Sequence, residues 1–142
     1  MFCQMFYRRK TIEHIDQANQ NARMFFDNYP LAFPIYEAFQ EKLYSLYPEI
    51  HMRARKTQIT FSNKHVFARV SFARVKRKAE LPDPYIVITL GLPAPIKSER
   101  AAVKTEPYPE RWTNHIVVGS SEELNEELFS WVEQAYAFSR DK

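Results

Sequence analysis

The sequence predicts an α+β fold, in which an antiparallel sheet of about four to five strands carries two N-terminal helices and one C-terminal helix. Two changes of pattern predict it. Apolar residues recur every three or four positions up to residue 46 and again after residue 120, whereas they alternate in the segment between. Because the predicted strands follow one another without an intervening helix, we expect them to pair antiparallel.

The first third of the chain predicts two amphipathic helices. The first spans residues 11–26, with Thr11 in the N-cap position. Its apolar positions are Ile12, Ile15, Ala18, Ala22, Phe25 and Phe26. The second follows the turn at Pro30 and continues until Pro48, because a proline inside a helix removes a backbone donor. Its apolar positions are Leu31, Ile35, Phe39, Leu43 and Leu46.

Residues 56–72 predict a β-hairpin. A two-residue turn at Asn63-Lys64 gives one apolar face, formed by the pairs Phe61–Val66, Ile59–Ala68 and Thr57–Val70. The same register gives a mostly polar face, formed by the pairs Thr60–Phe67, Gln58–Arg69 and Lys56–Ser71. Since a slip of one residue would mix the two faces, their separation supports the hairpin.

Three further strands and the last helix complete the predicted elements. The strands are Tyr85–Leu90, an edge strand near Ala101–Thr105 in a proline-dotted segment, and Trp112–Val118. A capping-box pattern at Ser120–Glu123 then introduces the C-terminal helix. The apolar face of that helix carries Leu124, Leu128, Trp131, Val132, Ala135 and Tyr136.

Length and composition favour one soluble domain. The chain has 142 residues, of which 45% are hydrophobic, enough for a single core. We assign residues 1–10 to an N-terminal extension and residues 11–139 to the domain. No apolar run approaches the roughly 20 residues of a membrane span, and the N-terminus lacks a secretory pattern. Cys3 is the single cysteine, so no internal disulfide is expected and a cytoplasmic location is predicted.

The residue pattern lacks the common catalytic and cofactor motifs. The two glycines, Gly91 and Gly119, cannot form a phosphate-binding loop or a dinucleotide fingerprint. The four histidines lack the spacing of a zinc site. Ser120, Ser121 and the glutamates after them are typical of a helix N-terminus. We therefore expect no metal and no cofactor, and we favour a protein that is not an enzyme.

Several short segments are distinctive by their order and spacing. They are Lys56–Phe61, Phe67–Val70, Ile88–Leu92, His115 before a valine strand, and Ser121–Leu124 leading to Trp131 and Ala135-Tyr136. Over roughly residues 12–139 this arrangement resembles the bacterial domain of unknown function numbered 5655. The resemblance implies a compact cytoplasmic α+β domain with no established activity. Some relatives begin with a segment like a zinc ribbon, but Cys3 has no partner cysteines here, so metal binding is not carried over.

The most informative feature is a run of cations without acids. Residues 51–79, called here the basic stretch, contain nine basic residues: Arg53, Arg55, Lys56, Lys64, Arg69, Arg74, Lys76, Arg77 and Lys78. Like charges on neighbouring strands repel by some tenths of a kcal/mol to about 1 kcal/mol per pair, so a counter-anion is expected. The predicted ligand-binding residues are Arg53, Lys56, Arg69, Arg74 and His115. The predicted aromatic contacts are Phe67, Tyr85 and Trp112.

The sequence leaves the counter-anion open. It is an external phosphate, a carboxylate ligand, or the acidic C-terminal helix packed across the same face. Our hypothesis is a non-enzymatic binding or accessory domain that recognises nucleic acid or a phosphorylated ligand and has no membrane partner. One alternative is a protein-interaction module or homo-oligomer. Another is a small-molecule enzyme, which requires Lys56, Arg69 and His115 to converge in one pocket.

Overall fold

The computed structural model describes residues 17, 19–73 and 75–141, and these form an α+β domain. Helix α1 is described at residues 17 and 19–25, α2 spans Phe33–Leu46, and α3 spans Glu126–Arg140. The predicted extension at residues 1–10 and the predicted start of α1 lie outside the described residues. Among the described helices, none has both the length and the apolar character that crossing a membrane requires.

Six antiparallel strands form one sheet in the order β1-β2-β3-β4-β6-β5. They are His51–Ala54, Ile59–Ser62, Val66–Ser71, Ile86–Leu92, Ala101–Tyr108 and Arg111–Val118, numbered β1 to β6. The predicted fold class is confirmed, but the described sheet has six strands rather than four to five. The extra strand is β1, which has only four residues and is too short to show a clear alternation. Met52 is its one buried side chain.

Helices α2 and α3 cover the same face of the sheet, called here the core face. Tyr36 and Phe39 of α2 pack on Phe61 of β2, with ring centroids 6.4 and 5.8 Å apart. Phe129 of α3 stacks on Phe39 at 5.9 Å. One buried cluster therefore joins both helices to the sheet. The buried strand residues on this face include Ile59, Val70, Ile88 and Ile116.

The β2–β3 hairpin differs from its predicted register by two residues. Ile59 pairs with Val70 and Phe61 with Ala68, so the predicted pairs were wrong. The loop has three residues, 63–65, because the Asn63 side chain accepts hydrogen bonds from the backbone N–H groups of the next two residues. A shift of two residues preserves the side-chain faces, and the polar face was therefore predicted correctly for most of the hairpin.

A β-bulge changes the orientation of one predicted aromatic residue. Ser62 pairs with Val66 while Phe61 pairs with Ala68, which leaves Phe67 as the extra residue. Phe67 is buried and meets the ring of Tyr136 edge-on at 5.3 Å. Val66, which was predicted on the apolar face, is 38% exposed.

The start of α3 also differs from the prediction. The capping box at Ser120–Glu123 closes a short 3-10 turn, Ser121–Glu123, and not the long helix. Helix α3 begins at Glu126, and Asn125 is its N-cap, with a side-chain oxygen that accepts a hydrogen bond from the backbone N–H of Leu128 at 3.1 Å. Both motifs use small polar residues before a helical turn, so the sequence pattern alone did not separate them.

Candidate anion-binding site

A row of side chains crosses the sheet on the face opposite the core, called here the polar face. The strand registers align one residue from each of five strands: Arg53, Thr60, Arg69, Thr89 and His115. Thr60 and Thr89 are almost fully buried, whereas Arg53 and Arg69 are exposed. Cations therefore project from a floor of small hydroxyl side chains.

A depression of about 570 Å³ lies over the centre of this row and is called here the central depression. Lys56, Arg69 and His115 line it together, and none of its lining residues is acidic. Hydrogen-bonding groups of Gln58 and Ser71 also line it. Its volume falls within the range of about 300–1,000 Å³ that is typical of small-ligand pockets.

The histidine of the central depression is held on the sheet by a threonine. The Thr89 Oγ1 and His115 Nδ1 atoms lie 2.8 Å apart and share a hydrogen bond. Burial, and secondly the charge of Arg69, lower the pKa of the His115 imidazole below its ordinary value of 6.5. The ring is therefore mostly neutral at pH 7, and the charge of an anion bound beside it would counteract that of Arg69.

Aromatic rings form one end of the central depression. Phe72 stacks between Phe25 and Tyr29, with centroids 5.3 and 4.0 Å away. Tyr29 is 49% exposed, so much of its ring remains accessible to solvent. Tyr85 supports the group from behind, because its hydroxyl donates a hydrogen bond to the Phe72 carbonyl oxygen at 3.1 Å.

A second, smaller depression of about 240 Å³ adjoins the first and is called here the side depression. Arg69 and Thr89 line both, so the two depressions meet at this pair. The side depression also contains Arg111 and Tyr108, and none of its lining residues is acidic. Tyr108 is 65% exposed at the end of β5, where it pairs with Arg111 of β6.

The predicted site residues fall into five groups. Lys56, Arg69 and His115 line the central depression, and Trp112 lines the side depression. Arg53 lines a separate depression at the β1 edge of the sheet. Arg74 lies outside the described residues. Phe67 is a buried core residue that also lines the side depression, and Tyr85 is half-buried beneath Phe72.

Several lining residues were missed by the sequence analysis. Phe25 and Phe72 read as ordinary core positions, and Tyr29 lies in a turn without periodicity. Thr89 carries no distinguishing pattern within an apolar strand. A careful reading of strand alternation could have found Thr89, because it shares its face with His115 on the neighbouring strand.

The acidic residues of α3 form no ion pair with the described cations of the basic stretch. The described ion pairs join Arg100 to Glu127 at 2.9 Å and Arg140 to Asp141 at 3.4 Å. Arg100 also donates to the Glu123 carbonyl oxygen and the Asn125 side chain at the N-terminus of α3. Because α3 packs on the core face, Lys56 and Arg69 have no carboxylate within 4 Å among the described residues.

Within residues 17, 19–73 and 75–141, no three histidine, cysteine, aspartate or glutamate side chains group closely enough to hold a metal ion. The polar groups of the two depressions are instead cationic, hydroxyl and amide groups. Their chemistry suits an anion rather than a cation.

The comparisons with known proteins show a family but name no activity. No curated protein and no solved structure matches the chain. The family model for a domain of unknown function, DUF5655, matches residues 25–139. This match includes all six strands, α2, most of α3 and nearly all of the lining residues described above. The chain therefore belongs to the DUF5655 family.

Proposed function

We propose that this domain is a binding or accessory module that recognises a phosphate or phosphoester group in the central depression. The observation that carries the proposal is the convergence of Lys56, Arg69 and His115 in one depression without an acidic lining residue. Arginine presents a planar set of donors that matches two phosphate oxygens, and lysine adds a mobile charge. The Ser71 hydroxyl and the Gln58 amide supply neutral donors beside them.

The proposal is tested with inorganic phosphate and a matched set of charge variants. Titration of isotope-labelled protein at constant ionic strength should shift the backbone resonances of Arg69, Thr89 and His115. Lys56→Gln and Arg69→Gln should each weaken binding about tenfold, since a charge-assisted hydrogen bond contributes on the order of 1.5–3 kcal/mol.

Lys97→Gln is the matched control. It removes one exposed cation that lines neither depression, and it should leave phosphate binding unchanged. Equal losses in Lys97→Gln and Arg69→Gln would show a general charge effect without a site. Absence of any shift around Thr89 would also end the proposal.

A small-molecule enzyme is a second candidate, supported by the hydrogen bond between Thr89 and His115 beside two cations. Turnover of a phosphoester that disappears in His115→Gln would favour it over simple binding. A protein-interaction module or homo-oligomer is a third candidate, supported by Met24 and Leu31, which are 67% and 71% exposed. Self-association that weakens in Leu31→Ser would favour it.

We further propose a cytoplasmic location in a bacterial cell. The single cysteine supports the first part, because proteins of oxidising compartments more often carry disulfides. The sequence resemblance described above supports the second part.

A further inference from the structure

The two depressions together are longer than one phosphate, and they contain aromatic rings that a phosphate does not need. They meet at Arg69 and Thr89, and they extend in opposite directions along the strands from that pair. Along β3 and the two residues after it, the lining residues run from Val66 to Ala73. Eight residues in an extended conformation span at most on the order of 25 Å, at about 3.4 Å per residue. The two depressions together are called here the trough, and a single phosphate would occupy only its middle.

Cations and exposed aromatic rings both line the trough. Tyr29 and Lys56 line the central depression, and Tyr108 and its strand partner Arg111 line the side depression. Arg69 lines both depressions, and both tyrosine rings are substantially exposed. None of the described lining residues is acidic. Cations together with exposed rings suit a chain that has both phosphates and planar rings.

We propose that the trough binds a short stretch of single-stranded nucleic acid, an inference that rests on the phosphate site proposed above. A phosphodiester lies at Arg69, and bases on its two sides stack on Tyr29 and Tyr108. Unpaired bases can stack on exposed aromatic rings, whereas bases inside a duplex are already stacked on each other. Single strands are therefore preferred over duplexes.

The salt dependence of binding follows from the cations in the trough. Each phosphate neutralised by a cation releases condensed counterions, with a slope of about −0.7 per contact for single strands. Three contacts, from Lys56, Arg69 and Arg111, give a slope of about −2 for the logarithm of the binding constant against the logarithm of salt concentration. Arg111→Gln should reduce this slope by about 0.7, and Lys97→Gln should not change it.

The experiment compares five probes: single-stranded hexanucleotides of DNA and of RNA, the matching DNA duplex, adenosine monophosphate and inorganic phosphate. Labelled oligonucleotides are titrated by fluorescence anisotropy, and the two small probes compete against them. The hexanucleotide of at least one type should bind more tightly than the monophosphate and the duplex. Tyr108→Leu should weaken hexanucleotide binding about tenfold, because stacking on an aromatic ring is worth roughly 1–3 kcal/mol per base. Binding of inorganic phosphate should stay unchanged. Tyr108→Trp keeps a stacking surface and should retain the affinity.

The outcomes separate this inference from the phosphate site on which it rests. Phosphate binding at Arg69 with no gain for a hexanucleotide over the monophosphate would overturn the inference and leave the phosphate site standing. So would a duplex that binds as tightly as the single strand, or a Tyr108→Leu variant with full hexanucleotide affinity. Failure of every probe to bind would overturn both.

Discussion

At the residue scale, His115 connects the burial of the site to its chemistry. The imidazole lies on the polar face beside the Thr89 hydroxyl, with Arg69 on the other side of that threonine, and its pKa is lowered first by burial and then by the Arg69 charge. In the neutral ring one nitrogen donates a hydrogen bond and the other accepts one. Protonation would place a third positive charge beside Lys56 and Arg69. If the depression binds an anion as proposed, we expect His115 to make its affinity depend on pH.

The pH dependence has a definite sign. A bound dianion stabilises the protonated ring, so the pKa of His115 in the complex lies above its pKa in the free protein. Affinity is then highest below the pKa of the free protein, falls as the pH rises through that value, and becomes constant above the pKa of the complex. Sulfate is the suitable probe, because its own charge does not change between pH 4.5 and 8, roughly the range in which histidine titrates.

The measurement is a series of sulfate titrations over that pH range, with wild type beside His115→Gln. The variant should lose the part of the pH dependence that His115 causes, and any remaining slope reports other groups. Ring resonances of His115 should also show a higher midpoint when sulfate is present. A midpoint that sulfate leaves unchanged would place the anion away from this ring.

At the element scale, the β2–β3 hairpin shows why a sequence pattern determines faces more readily than register. Alternation correctly assigned Arg69, Lys56 and their neighbours to the polar face. The loop length instead depends on Asn63, which contacts α3, a helix more than 70 positions further along the chain. The Asn63 side-chain nitrogen donates a hydrogen bond to the Tyr136 carbonyl oxygen at 2.9 Å. Ser139 also donates to the Asn63 side-chain oxygen at 2.9 Å. No local pattern contains these contacts.

Asn63→Ala should therefore destabilise the whole domain and not only the loop. The substitution removes the hydrogen bonds within the loop and those to α3, and a loss of about 1–3 kcal/mol in the free energy of unfolding is expected. Urea unfolding followed by circular dichroism measures it. Ser139→Ala should cost less, since the loop keeps its local bonds.

The double variant of Asn63 and Ser139 supplies the control for this coupling. Because Ser139 donates to Asn63, the two losses should be less than additive. Strict additivity, or an Asn63→Ala variant as stable as wild type, would show that the hairpin does not depend on α3 for its loop conformation.

At the scale of the whole molecule, local patterns predicted which face of the sheet a side chain occupies better than which side chains meet there. The basic stretch and the strand period together placed Lys56 and Arg69 on one face, and the fold brings His115 to them from a strand some 45 positions later in the chain. The aromatic end depends on the packing of α1 against Phe72, and Tyr108 depends on the length of the β5–β6 hairpin. Such tertiary arrangements have no local periodicity, so they could not be predicted.

The unpaired cations should also lower the stability of the domain without ligand. Lys56 and Arg69 share one depression and have no carboxylate within 4 Å among the described residues, so their mutual repulsion opposes folding. The double variant Lys56→Gln/Arg69→Gln should be more stable than wild type by a few tenths of a kcal/mol to about 1 kcal/mol at low salt. At about 1 M salt, where the screening length is near 3 Å, the difference should largely vanish.

Urea unfolding at the two salt concentrations measures this difference. The matched control is Lys97→Gln/Lys104→Gln, because it removes two exposed cations that line neither depression. A gain in stability confined to the Lys56 and Arg69 pair would mean that these residues are kept for a ligand at a cost to the fold, as happens at functional sites. A loss of stability at low salt would mean that the two cations hold the sheet together, and the anion site would then lose its electrostatic basis.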